Sequence, residues 1–92
     1  MEGNAYQERL EHLCRLIVSI DSEEACLALL EDLCTAKELE NMAERCWAAK
    51  LLLEGKTYNQ VMEQSRISTA TLSRVSRCAQ YGKGYSALMK KE

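Results

Sequence analysis

Between Thr57 and Cys78 the chain reads TYNQVMEQSRISTATLSRVSRC: two short amphipathic segments joined by a tight turn, each opened by its own capping residue. Val61 and Met62 mark the inner side of the first segment, Ile67 the turn, and Leu72, Val75 and Ala79 the inner side of the second. Steps of three and four residues keep one side of a helix apolar, and this arrangement is that of a helix-turn-helix. Thr57, with Gln60 three residues on, caps the first helix and Ser68 caps the second, so orphan backbone N–H groups at each start meet a side-chain acceptor.

On the second segment the positions opposite Leu72, Val75 and Ala79 are Ala70, Ser73, Arg74 and Arg77, with Thr69 and Thr71 at the flanks. A helix that enters the major groove needs slim residues near its N-terminus for close approach. It also needs hydroxyls for base edges or phosphates and guanidinium groups for guanine or backbone oxygens. Any solvated helix face carries some of these residues. The capped partner helix and the distribution of charge favour the DNA-reading interpretation.

That distribution is uneven. Residues 1–55 carry five bases against twelve acids, a net of −7, whereas residues 56–92 carry seven bases against two acids, a net of +5. A positive pole at the helix pair attracts phosphates, and an acidic remainder orients the approach.

The rest of the composition indicates an all-α chain. There is no Pro and no Phe, only four Gly, and no β-branched alternation. Ninety-two residues make one domain too small to bury a large core alone, which makes dimerisation attractive. No apolar run is long enough for a membrane span, and no secretory signal opens the chain. Five cysteines, Cys14, Cys26, Cys34, Cys46 and Cys78, an odd count without C-x-x-C spacing, suit reduced thiols in a cytoplasmic protein. His12 and Cys14 are the only close pair of soft ligands and lie two apart, on different helix faces, so no metal site is expected.

Taken in order, residues 1–4 read as a frayed terminus. From Ala5 to about Ser19, Leu10, Leu13, Cys14, Ile17 and Val18 form an apolar stripe. Asp21 or Ser22 caps a second helix with Cys26, Leu29, Leu30 and Leu33 as its stripe. Thr35 and Glu38 form the S/T-x-x-E box that opens the longest helix, about Ala36 to Glu54, with apolar Leu39, Met42, Ala43, Cys46, Trp47, Leu51 and Leu52. Gly55 ends it in a left-handed conformation, and Trp47 reads as a core or interface anchor. After the helix pair, Tyr81-Gly82-Lys83-Gly84-Tyr85 reads as a loop with two flexible points. Ser86 caps a final helix through Met89, whose Lys90 and Lys91 face solvent or reach DNA backbone. The organisation expected is residues 1–55 for dimerisation, 56–80 as helix-turn-helix, and 81–92 as a C-terminal loop and short helix.

The run from Glu31 to Arg77 resembles the Trp repressor and, more closely, the Trp-repressor-like YerC/YecD family. Thr35 opens a long helix that closes at Leu52-Leu53-Glu54-Gly55, and Ala70-Thr71-Leu72-Ser73-Arg74 is the most specific piece. The resemblance implies an intertwined all-helical homodimer whose two helix-turn-helix heads sit roughly 34 Å apart on a palindromic operator. It also implies that Arg45 and Arg74 match the two arginines that flank the co-repressor indole in the tryptophan-responsive member. Val75 stands where that member has glycine, and its branched side chain would intrude on such a ring, so a ligand other than L-tryptophan, or no effector, is expected. Arg66 stands where many such turns carry glycine.

The leading expectation is a sequence-specific DNA-binding transcriptional regulator, a repressor, acting as a homodimer. Thr69, Ala70, Thr71, Ser73, Arg74 and Arg77 meet bases or backbone beside Ser68, while Lys56, Thr57, Asn59 and Gln60 hold phosphates. The alternative is a helical protein-interaction module that kept the fold and lost DNA readout. An enzyme is not expected: the only His is His12, no paired carboxylates converge from a motif, and no nucleophile stands with a base at helical spacing.

Overall fold

A computed structural model describes residues 2–89, and Lys90 and Lys91 lie outside them. The described chain is all-α: α1 Glu2–Val18, α2 Glu23–Leu33, α3 Ala36–Leu53, α4 Tyr58–Gln64, α5 Thr69–Tyr81 and α6 Gly84–Met89. The described residues form two compact units that divide between Thr35 and Ala36.

In the first unit α1 begins at Glu2 rather than at Ala5, so residues 2–4, expected to be frayed, are helical despite the low helix propensity of Gly3 and Asn4. It ends where Ser19 Oγ donates to the Leu16 carbonyl at 2.6 Å and the Ser19 N–H to Arg15 at 3.1 Å, occupying terminal carbonyls. Ser22, rather than Asp21, caps α2, accepting from the Ala25 N–H at 3.0 Å. No residue from 4 to 35 is buried, and Leu16, Ile17, Val18, Leu27 and Leu33 are exposed. Two helices with apolar stripes and no core between them hold a fold only against a further surface.

The second unit has the core. Ala48, Ala49 and Leu51 of α3, Val61 of α4 and Leu72 and Val75 of α5 form one buried cluster, with Leu52, Tyr58, Met62, Ile67, Tyr85 and Met89 packed around it. α3 packs against α4, α5 and α6, and α5 also packs against α6. The two alanines let α5 approach α3 closely, and Leu72 and Val75 fill the seam. The inner face of α3 is therefore only partly the expected one: Leu51 and Leu52 lie on it, beside Ala48 and Ala49, which were not expected there. Ala43, Cys46 and Trp47 are exposed, Trp47 at 52%, with Lys50 Nζ 5.0 Å from its ring centroid, so Trp47 is not a core anchor of this unit.

α3 stops in a Schellman arrangement. Gly55 has φ +102, its N–H donates to Leu52 at 3.1 Å, and the Lys56 N–H reaches back to Leu51 at 3.0 Å. Gly82, with φ −80, is needed for space instead: a Cβ there would stand 2.5 Å from the Cys78 carbonyl oxygen. α6 starts at Gly84, ahead of Ser86, whose hydroxyl donates back to the Gly82 carbonyl at 3.4 Å and so does not cap the helix from outside. The expected five-residue loop thereby shrinks to Gly82 and Lys83.

Candidate nucleic-acid interface

Local chemistry fixes both helices of the pair. The Gln60 N–H donates to Thr57 Oγ1 at 3.1 Å and the Thr57 N–H to Gln60 Oε1 at 2.8 Å, a complete capping box. Ser68 Oγ accepts from the Thr71 N–H at 3.1 Å and donates to Thr71 Oγ1 at 3.0 Å. The turn between them needs no left-handed residue, since no non-glycine among the described residues has positive φ. Arg66 therefore replaces glycine without strain. Its N–H is held by Glu44 Oε1 of α3 at 3.3 Å, Ser65 Oγ donates to the Val61 carbonyl at 2.8 Å, and Ile67 packs on the core.

This scaffold sorts the faces of α5. Leu72 is fully buried and Val75 is 2% exposed, with Ala79 buried beyond them. Ser68, Thr69, Ala70, Ser73, Arg74 and Arg77 are exposed, and Thr71 is half-buried at the flank. At the start of α4, Lys56, Thr57, Asn59 and Gln60 are exposed on their own side of the head. Thr57, Gln60, Ser68 and Thr71 thus spend part of their hydrogen-bonding capacity on caps, whereas none of the backbone caps engages Asn59, Arg74 or Arg77.

Three residues outside the expected set matter for this geometry. Tyr58, half-buried between the helices, donates its hydroxyl to the Thr69 carbonyl at 3.2 Å and lies 3.3 Å from Ser73 Oγ. Glu44 holds the turn. Tyr85 on α6 packs against the core and lines an open apolar groove of 470 Å³ with Cys46 of α3 and Cys78 of α5. Burial pushes the Tyr85 phenol above the usual tyrosine range, with Cys46 and Cys78 adding to the effect and Arg45 and Arg74 opposing it.

Arg45 also lines a 510 Å³ polar groove under the turn, with Glu40, Asn41, Glu44, Arg66 and Thr71. Arg74 does not line that groove, yet both arginines lie within electrostatic reach of Tyr85. Val75, whose side chain was expected to crowd a ligand ring, is committed to the core.

A model of the family described as Trp repressor protein matches residues 8–92. The chain belongs to the Trp repressor family. Uncharacterized protein YerC of Bacillus subtilis (strain 168) is 40% identical over 75 residues, which are 82% of this chain and 72% of that protein. The crystal structure of a Trp-repressor-like protein from Eubacterium eligens superposes on this family member with a TM-score of 0.83 at 34% identity, covering 91% of this chain and 88% of that one. A Staphylococcus aureus structure described as a candidate Trp repressor gives 0.84 at 33% identity, covering 91% and 85%. The all-helical Trp-repressor-like fold expected from Thr35, Gly55 and the Ala70–Arg74 run is therefore the fold of this chain. Among its described residues no helix is long and apolar enough to cross a membrane.

Proposed function

We propose that this Trp repressor family member is a sequence-specific DNA-binding transcriptional regulator that acts as an intertwined homodimer. One observation carries the reading: α5 presents Thr69, Ala70, Ser73, Arg74 and Arg77 on one exposed face while its opposite face is locked into the core through Leu72 and Val75. A rigidly seated helix with slim residues at its N-terminus and guanidiniums further along suits the major groove. Lys56, Thr57, Asn59 and Gln60 hold the flanking phosphates, and Ser68 and Thr71 keep the first turn of α5 in shape for close approach.

The first unit supports the dimer. Residues 4–35 bury none of their apolar side chains, and interlocking with a second copy covers such stripes. Helix-turn-helix dimers, the Trp repressor among them, place their reading helices roughly 34 Å apart, so the target is an inverted repeat, and occupancy of that site represses transcription. The chemistry is binding without catalysis.

Affinity for duplex DNA measured across a salt series tests the proposal. It falls steeply as salt rises if several phosphates are neutralised, and a flat response contradicts it.

A further inference from the structure

We infer that Tyr85 is a built-in ring that sets the pose of the reading helix, seated from α6 between α3 and α5, so that this chain needs no small-molecule effector to hold α5 in place. The inference rests on α5 as the DNA-reading element and names what positions it.

α6 has six residues, too few to be a stable helix on its own, and it is held by packing against both α3 and α5. Tyr85 and Met89 are its two contacts with the core cluster. Around the Tyr85 ring, Cys46 comes from α3 and Cys78 from α5, and all three line the same open apolar groove of 470 Å³. One aromatic side chain therefore touches the space between the two helices whose relative placement fixes the head. A phenol suits that place because its ring is apolar and its hydroxyl is polar, and the charges of Arg45 on α3 and Arg74 on α5 reach it from both helices. The approach of α6 is itself constrained: Gly82 passes so close to the Cys78 carbonyl that no side chain fits there, and its N–H donates to that oxygen at 2.8 Å. The ring is thus delivered by the chain itself, on a short tether from the end of α5.

Removing the ring deepens the open apolar groove that it lines with Cys46 and Cys78. A phenol supplied from solution can then occupy the vacated place. The test uses the full chain and 4-methylphenol, the isolated side chain of tyrosine. Tyr85→Ala should weaken binding to the selected duplex about tenfold, equivalent to about 1.4 kcal/mol. Millimolar 4-methylphenol should restore most of that loss, raise the melting temperature of Tyr85→Ala, and leave the wild type unchanged. Tyr85→Phe should bind DNA nearly as the wild type does.

Tyr85→Ala binding DNA like the wild type, or a folded Tyr85→Ala that is not rescued by 4-methylphenol, overturns the inference. If Tyr85→Ala does not fold, the wild type alone decides: an affinity for DNA that rises more than tenfold on adding any amino acid overturns the inference, and an unchanged affinity supports it. Failure of the wild type to select any DNA sequence, with 4-methylphenol still stabilising Tyr85→Ala selectively, sinks the DNA reading while supporting the seat of the ring.

Discussion

The hydroxyl of Tyr58, at the first position of α4, donates to the backbone carbonyl of Thr69 in the first turn of α5, 3.2 Å away. The bond spans eleven residues of sequence and ties the two helices of the head together at the end where the slim, hydroxyl-bearing residues stand. The same oxygen lies 3.3 Å from Ser73 Oγ, so one phenol touches two of the residues expected at DNA.

Tyr58→Phe keeps the ring against the core and removes only the hydroxyl, with its contacts to the Thr69 carbonyl and Ser73 Oγ. A net hydrogen bond of this kind contributes about 0.5–1.5 kcal/mol, and partial exposure puts the expected loss at the lower end. Thermal denaturation of Tyr58→Phe should show a small drop in midpoint, whereas DNA affinity should fall by more than stability does, because Ser73 and the first turn lose their fixed position. Equal and negligible effects on both would show that the link does not position α5.

Capping fixes where each helix of the pair begins. Ser68→Ala leaves the Thr71 N–H without its acceptor and should cost about 1 kcal/mol of stability, readable as a shift in denaturant midpoint at unchanged slope. Leu72→Ala, at the fully buried centre of the seam, belongs to a different scale and should cost about 2–5 kcal/mol. A Leu72→Ala cost no larger than that of Ser68→Ala would mean that α5 is not held through its inner face.

Gly55 is the one residue among those described with φ in the left-handed region. Nothing lies within 4 Å of a Cβ built there, so Gly55→Ala meets only backbone strain, about 1 kcal/mol or somewhat more, without a clash. Gly82→Ala meets the Cys78 carbonyl instead and should shift α6. Calorimetry should therefore find Gly82→Ala the more damaging of the two.

The Tyr85 phenol is raised above its ordinary value chiefly by burial. A group whose folded-state pKa lies above its unfolded one contributes stability that is present below the unfolded value, about 10 for tyrosine, and is lost as pH rises through the folded one. The wild type should lose stability above about pH 10 more steeply than Tyr85→Phe, which has no phenol to ionise. Superimposable pH profiles of the two proteins in that range would place the phenol in solvent.

Arg77 is exposed on the outer face of α5. If it meets a phosphate, Arg77→Ala should weaken binding uniformly across sequences and lower the salt slope by about one. If it meets a guanine, the loss should be about 1–3 kcal/mol and confined to one base position. An unchanged affinity would remove Arg77 from the interface.

Much of the head was legible in the sequence because its determinants are local. The Thr57–Gln60 box, the Ser68 cap and the spacing of Leu72, Val75 and Ala79 each act within four residues, and the structure repeats all three. Gly55 was legible for the same reason. The inner face of α3 was legible only at Leu51 and Leu52, because Ala48 and Ala49, which complete it, carry little hydrophobic weight. Trp47 drew attention by its size and is half exposed. Tyr58, Glu44 and Tyr85 escaped because their partners lie far along the chain: 22 residues separate Glu44 from Arg66, and no local signature marks such a pair.

Selection of bound sequences from a random duplex pool by the purified full chain, without added ligand, tests the central claim most directly. The account predicts enrichment of an inverted repeat whose half-sites are centred about one helical turn apart, roughly 34 Å. A pool that returns no shared motif, or a single half-site without a symmetric mate, would contradict it.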